Sequence, residues 1–278
     1  MFNPKLLKTI ASIAFITVVT ALPPAYAFGP DGGETLAKPE TAAQKAVRLA
    51  EEKAEIKRVA LAKKLGLIKL AEDLPEAKFA GTPAVIPSGT TVDKKSLGKK
   101  RKPTFVDKNV KVISSDSPIT ALDDEPLMGD LEMITDGDKD ASDGSYVELE
   151  SDLMWIQLDL GKEMDIHLVQ VWHFHSQPRI YHDVIIQISS DKNFKKDVIT
   201  IFNNDQDNSA KQGKGKEREY FESNEGKMVD CRIQSKGKKP IGRKARYVRL
   251  YSNGSTADDQ NHYTEVVVFG KPLKPIKK

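Results

Sequence analysis

Apolar and polar side chains alternate along Trp155-Ile156-Gln157-Leu158-Asp159-Leu160, a period of two that predicts a strand with one face against a core. The stretch Asp165–His175 is rich in β-branched and aromatic residues and also reads as extended. Asp183–Ser190 alternates again, Val198–Phe202 is a further short strand, and Arg246–Ser252 and Tyr263–Phe269 complete the set. Turn-forming residues separate these runs at Gly161-Lys162, Ser190-Asp191, Gly213-Lys214-Gly215 and Ser252-Asn253-Gly254. From Val110 onward, many short strands with little helix predict an all-β sandwich or jelly roll.

The pattern upstream is different. From Thr41 to about Leu74 the chain is dominated by Ala, Glu, Lys and Leu, all strong helix formers. Thr41 can cap the start, and Ala42, Ala46, Leu49, Ile56 and Val59 fall near one face, interrupted by Lys53 and Lys63. Gly66 weakens or ends a first helical stretch and Pro75 ends a second. Two readings of this charged arm, residues 41–80, stand: a solvated spacer, or a helix that binds a protein partner. Residues 28–40 are predicted to be disordered. Residues 81–108, with Pro83, Pro87, Gly89, Gly98 and Pro103 and the run Lys99-Lys100-Arg101-Lys102, read as a linker. Residues 109–271 form the predicted domain and 272–278 a basic tail. At the N-terminus, Lys5 and Lys8 precede the apolar run Ile10–Leu22 and then Ala25-Tyr26-Ala27. That is the layout of a signal peptide cleaved after Ala27, with an apolar run too short to span a bilayer comfortably. It predicts export, to a periplasm, a cell surface or the medium, with no transmembrane segment after cleavage.

Charge divides along the chain. Residues 28–108 carry 17 basic and 11 acidic side chains, a balance of +6, and the leader carries +2. With +3 over the whole chain, residues 109–278 are left at −5, which argues against nucleic-acid binding by the domain. Cys231 is the only cysteine, so no internal disulfide can staple the fold, and a buried strand position is its expected place.

The segment Ile134-Thr135-Asp136-Gly137-Asp138, followed by Trp155-Ile156-Gln157-Leu158-Asp159-Leu160-Gly161, resembles the first half of a discoidin domain. That is the coagulation factor 5/8 type C superfamily, which includes the family 32 carbohydrate-binding modules. Ala245-Arg246-Tyr247-Val248-Arg249-Leu250-Tyr251-Ser252 and Glu265-Val266-Val267-Val268-Phe269-Gly270 are similar to its second half. The resemblance covers roughly residues 110–271. It implies a galactose-binding-like jelly-roll β-sandwich, a carbohydrate or glycoconjugate as partner, and a structural calcium ion.

Asp136, Asp138, Asp140 and Asp143 crowd carboxylate oxygens of the kind a hard cation needs. They do not make an EF-hand: the sixth position holds Ala141 instead of Gly, and the twelfth holds Val147 instead of Glu. By the resemblance, the matching calcium ligands are Asp136, Asp138 and Glu265. A zinc site among His173, His175 and His182 lacks an obvious fourth ligand. The resemblance places sugar-binding side chains on loops at one end of the barrel. Arg179 matches the arginine that enters the next strand, and His175, Tyr181, Asn203 and Asn204 are its expected companions. The long polar insertion that begins at Asn203 and runs to Glu222 departs from the common discoidin pattern. No nucleophile elbow, Walker loop or His-Glu-x-x-His motif occurs. The leading reading is an exported, non-catalytic glycan-binding module. An adhesion or scaffold protein that uses the jelly roll and the arm, and a metal-dependent enzyme at His173–His182, are the competitors.

Overall fold

The computed structural model describes residues 27–28, 34–35, 40–79, 83–95 and 97–273. The predicted leader as far as Tyr26, most of 28–40 and residues 274–278 of the tail lie outside them. The chain divides into two units, Met1–Lys57 and Arg58–Lys278.

In the first unit, β1 (Ala27–Phe28) pairs with β2 (Glu34–Thr35), and the helix α1 (Ala42–Lys64) begins. Thr41 caps it as expected. Its Oγ1 accepts from the Gln44 amide at 3.2 Å while the Gln44 side chain accepts from the Thr41 amide at 2.9 Å, a reciprocal capping box. Val47 and Ile56 on this helix are 58% and 68% exposed, so the apolar stripe is not buried within the unit.

In the second unit α1 ends at Lys64, where Gly66 adopts φ +62°, the left-handed conformation that glycine takes at a helix C-terminus at no steric cost. No second helical stretch follows. Leu67–Lys69 is instead a strand, β3, paired antiparallel with β4 (Phe105–Asp107). Helix propensity between Gly66 and Pro75 is outweighed by this pairing and by burial of Leu70.

The predicted all-β jelly-roll sandwich is what the remainder forms. Short strands β5 (Lys111–Val112), β6 (Ile119–Ala121) and β7 (Val147–Ser151) lead into β8 (Met154–Trp172). Then come β9 (Ile185–Ser189), β10 (Ile199–Asn203), β11 (Lys227–Asp230), β12 (Arg243–Ser252), β13 (Gln260–Tyr263) and β14 (Glu265–Pro272). The main sheet runs β10-β9-β12-β8-β14-β5, with β6 and β11 also paired to β8 and every pairing antiparallel. Where the pattern predicts a turn at Gly161-Lys162, β8 runs on without a break, and the mismatch is absorbed by a register shift against β12. The predicted strand Tyr263–Phe269 is two strands: β13 pairs with β7 and β14 with β8.

The central core joins Ile156, Leu158, Ile186, Ile188, Val248 and Leu250 from one half of the sheet to Val169, Val171, Val266 and Val268 from the other. A second core lies on the opposite face of β8 and β14, where Leu168, Trp172, Val267 and Phe269 meet Leu70, Val106 and Val110. Trp172 is closed over by Gly226, φ +58°, where a Cβ would come within 2.6 Å of the indole. Leu70, Val106 and Val110 are therefore packed on the sheet. The segment expected to be a linker is held further by Arg101, which pairs with Glu72 at 2.6 Å and whose amide donates to Glu225 Oε2 at 2.8 Å. Val92 is buried, and Cys231 is buried as expected, its thiol pushed up to about 12 by burial.

Candidate functional site

Arg179 lies just before β9, on a segment zipped to the loop between β12 and β13. Ile180 and His182 exchange backbone hydrogen bonds with residues 253–256: the Thr256 amide donates to Ile180 O at 2.9 Å, and the Asn253 amide to His182 O at 2.9 Å. This brings Asp258, distant in sequence, to the guanidinium. Arg179 Nη1 donates to Asp258 Oδ2 at 3.1 Å and approaches the Tyr181 hydroxyl at 3.4 Å. The guanidinium carbon sits 4.5 Å over the Phe174 ring. The Nε of Arg179 is buried and makes no hydrogen bond.

Behind Arg179 a polar relay runs inward. The Tyr181 hydroxyl is 2.9 Å from His262 Nδ1, and His262 Nε2 is 3.3 Å from Glu148. Burial holds His262 below the usual imidazole range against the pull of Asp258 and Glu148. A neutral ring satisfies every partner: Nε2–H donates to Glu148 and Nδ1 accepts from the tyrosine. The Tyr146 ring stands edge-on to Phe174, centroids 5.0 Å apart, and to His262 at 5.5 Å. Tyr146, Glu148 and Asp258 are half-exposed around the buried Arg179 and His262. The arrangement presents an aromatic edge, two carboxylates and the rim of a fixed cation on one surface.

Of the predicted ligand residues, only Arg179 and Tyr181 meet here. Tyr181 is 1% exposed and stacks on His173 at 4.5 Å, so it supports the arginine from below. His175 turns away. It is fully buried, with Nε2 2.9 Å from the Lys139 carbonyl, pinning the acidic loop. Asn203 and Asn204 are buried at the root of the long insertion, where Asn203 donates to Gly213 O at 2.8 Å and accepts from the Asp205 amide at 2.8 Å. That insertion is ordered by Asp205, which accepts from the amides of Asn208, Ser209 and Ala210. Glu148, Asp258, His262, Phe174 and Tyr146 were not legible as site residues. Asp258 reaches Arg179 through the backbone pairing of residues 180–182 with 253–256, and His262 is reached through Tyr181, so no local spacing marks either.

The three histidines of the 173–182 stretch go to three separate partners. His173 pairs with Glu222 at 2.8 Å, His175 with Lys139 O, and His182 with Glu219 at 2.8 Å. Among the described residues no metal-spaced group of three includes a histidine.

Around the acidic loop, Glu265 is 2% exposed and accepts from the Gly137 amide at 3.1 Å. Burial, with the charges of Asp136 and Asp138 adding to it, raises its carboxyl to about 8. Among the described residues, Asp136, Asp138 and Glu265 do not form a metal-spaced group. The side chains of Asp136 and Asp138 cap the loop itself, accepting from the Asp138 and Asp140 amides at 2.7 and 2.9 Å. A different trio, Asp183, Asp205 and Asp207, brings its carboxylate oxygens within 4.8 Å of one another.

No protein-family model and no curated protein matches the sequence. Solved structures with partial likeness include a CBM32 of AlyQ in complex with 4,5-unsaturated mannuronic acid. It is 16% identical with a TM-score of 0.39, over 56% of this chain and 96% of that one. A chitosan-binding module of a chitosanase/glucanase from Paenibacillus sp. IK-5 is 16% identical, TM-score 0.37, over 58% and 99%. A family 89 glycoside hydrolase from Clostridium perfringens is 18% identical, TM-score 0.40, over 60% of this chain but only 16% of that enzyme. Likeness at this level assigns neither a family nor a ligand. Among the described residues no helix is long and apolar enough to cross a membrane.

Proposed function

We propose that this chain is a non-catalytic binding module for carbohydrate, and that the glycan docks on the Tyr146–Arg179–Asp258 surface. The carrying observation is Arg179, held between the Phe174 ring and Asp258 with Tyr146, Glu148 and Asp258 half-open around it. Carboxylates accept from sugar hydroxyls, and a ring offers a surface for sugar C–H groups; a few convergent polar groups beside aromatic walls are the usual make-up of a small-molecule site. Export, to a periplasm, a cell surface or the medium, rests on the sequence pattern of the leader. Calcium at Asp136, Asp138 and Glu265 rests on the buried, charge-crowded Glu265. A protein partner for residues 41–80 rests on the exposed Val47 and Ile56 of α1.

A glycan array followed by titration tests the reading. Tyr146→Ala removes a half-exposed ring without touching the Arg179–Asp258 pair. It is expected to weaken an identified glycan about tenfold, about 1.4 kcal/mol, with the melting temperature nearly unchanged. Arrays with no glycan hit, or equal binding by the variant, would refute the assignment.

A further inference from the structure

A cleft of about 470 Å3 lies between the end of α1 and the connection from β11 to β12. That volume is within the range of small-molecule pockets, about 300–1,000 Å3. Its apolar wall comes from both sides of the Gly66 turn. Leu61 and Leu65, one helical turn apart, lie at the end of α1, and Leu67 opens β3, which pairs with β4, the strand of Phe105. Pro240 adds to the wall from the connection. Leu61 is 45% exposed, and Leu65, Leu67, Phe105 and Pro240 are half-exposed, so the wall is open to a ligand.

The other side is a basic hairpin. Ile233 and Ile241 exchange backbone hydrogen bonds at 2.7 and 3.2 Å, and between them the Lys238 amide donates to Ser235 O at 3.1 Å. Gly237 turns the chain there with φ +70°, a conformation that favours glycine. Lys236 and Lys238 therefore flank the tip. Both line the cleft, both are exposed, and neither has a partner among the described residues. Lys239 goes instead to Asp107 at 3.4 Å. The other cations of the lining donate to backbone oxygens, Arg58 to Pro103 O at 2.7 Å and Arg232 to Phe105 O at 2.6 Å. The single carboxylate of the lining, Asp230, already holds Arg232 at 2.7 Å and Gln234 at 3.1 Å. An apolar wall thus faces two unpaired ammonium groups, with no free carboxylate to repel an anion. A sugar would press hydroxyls against leucines, which is costly where no hydrogen bond replaces water. A ligand with an apolar body and one anionic end matches both sides.

We infer that this cleft binds an anionic amphiphile of the fatty-acid class, its chain against Leu61, Leu65, Leu67 and Phe105 and its carboxylate at Lys236 and Lys238. The site is separate from the Arg179 surface and does not depend on that surface binding a glycan.

Titration of the full chain with dodecanoate, kept below its micelle-forming concentration and followed by calorimetry and NMR, tests it. One saturable site per chain is expected. Dodecanol, which lacks the charge, should bind about fivefold more weakly, the scale of two exposed ion pairs. Lys236→Ala with Lys238→Ala should weaken dodecanoate by about the same factor and leave dodecanol unchanged, whereas Lys236→Arg with Lys238→Arg should retain dodecanoate. Added salt should weaken dodecanoate alone. Leu61→Gln keeps helix propensity and should weaken both ligands. The proposal is overturned by absence of saturable binding, by equal affinity for dodecanol, by indifference of dodecanoate to the paired alanine changes, or by indifference of both ligands to Leu61→Gln. It is also overturned if the chain associates with phosphatidylglycerol vesicles and not with monomeric dodecanoate, which would make the hairpin a membrane-facing surface.

Discussion

Arg179 and His182 stand three residues apart and do different work. Arg179 is 7% exposed and bound to Asp258, so its removal strands a carboxylate and loses a charged hydrogen bond, a cost of about 1.5–3 kcal/mol. Arg179→Ala is therefore a poor probe of binding alone, and Tyr146 is the better one. His182 acts on the segment that crosses the sandwich. Its Nδ1 is 2.8 Å from Glu219, which also accepts from the Thr91 amide at 2.6 Å. Glu219 raises the His182 pKa. Burial pushes the Glu219 carboxyl up, but His182 and the Thr91 amide outweigh it and the net shift is downward. The raised His182 contributes stability that is present at low pH and lost as pH rises through its folded value, above the ordinary value of about 6.5. The lowered Glu219 contributes stability that is present at higher pH and lost as pH falls through its folded value. Docking of residues 83–102 is thus firmest between the two, in mildly acidic solution. Proteolysis within 83–102 should accelerate as pH is raised about two units above the ordinary imidazole value of about 6.5, and His182→Gln should abolish that dependence. A variant that kept the same pH profile would exclude His182 as the titrating group.

Among the elements, β8 and β14 carry the clearest lesson. A strand covered on one side alternates, whereas one covered on both sides reads as a continuous apolar run. Glu265-Val266-Val267-Val268-Phe269 is such a run: Val266 and Val268 enter the central core, Val267 and Phe269 the second. In β8, a shift of register at His167 places Ile166, Val169 and Val171 inward and Leu168 and Trp172 outward. The outward side chains are covered in part by Leu70, from a segment whose composition reads as helix and linker. A fragment that begins at Pro103 lacks Leu70, buried Val92 and the Arg101–Glu72 pair. Each buried aliphatic side chain contributes about 1.5–3 kcal/mol, so this fragment should be less stable than one beginning at Arg58 by roughly 3 kcal/mol or more. Urea denaturation of the two fragments measures the difference, and equal midpoints would show that residues 58–102 contribute no stability.

Across the whole molecule, calcium would tie the first acidic loop to the last strand, since the Gly137 amide already meets Glu265 at 3.1 Å. A cation that binds only the folded state stabilises it by about 2.7 kcal/mol at a hundredfold excess over Kd. Chelator should lower the melting temperature, and Asp138→Ala should remove that sensitivity; a melting curve indifferent to chelator would leave Glu265 as an uncompensated buried acid. The sequence by itself determined what depends on local pattern: the period-two strands, the capped start of α1 at Thr41 and the all-β class. Those follow from side-chain alternation and backbone preference within a few residues. Only the tertiary structure decided that β8 runs through Gly161 without turning and that Leu70, Val106 and Val110 lie on the sheet. It also decided that Arg179 meets Asp258 and Tyr181 meets His262, while His175, Asn203 and Asn204 serve loops elsewhere. These outcomes depend on pairings between residues tens of positions apart, where burial of Leu70 against Trp172 and Phe269 outweighs a helical preference that local composition alone can register.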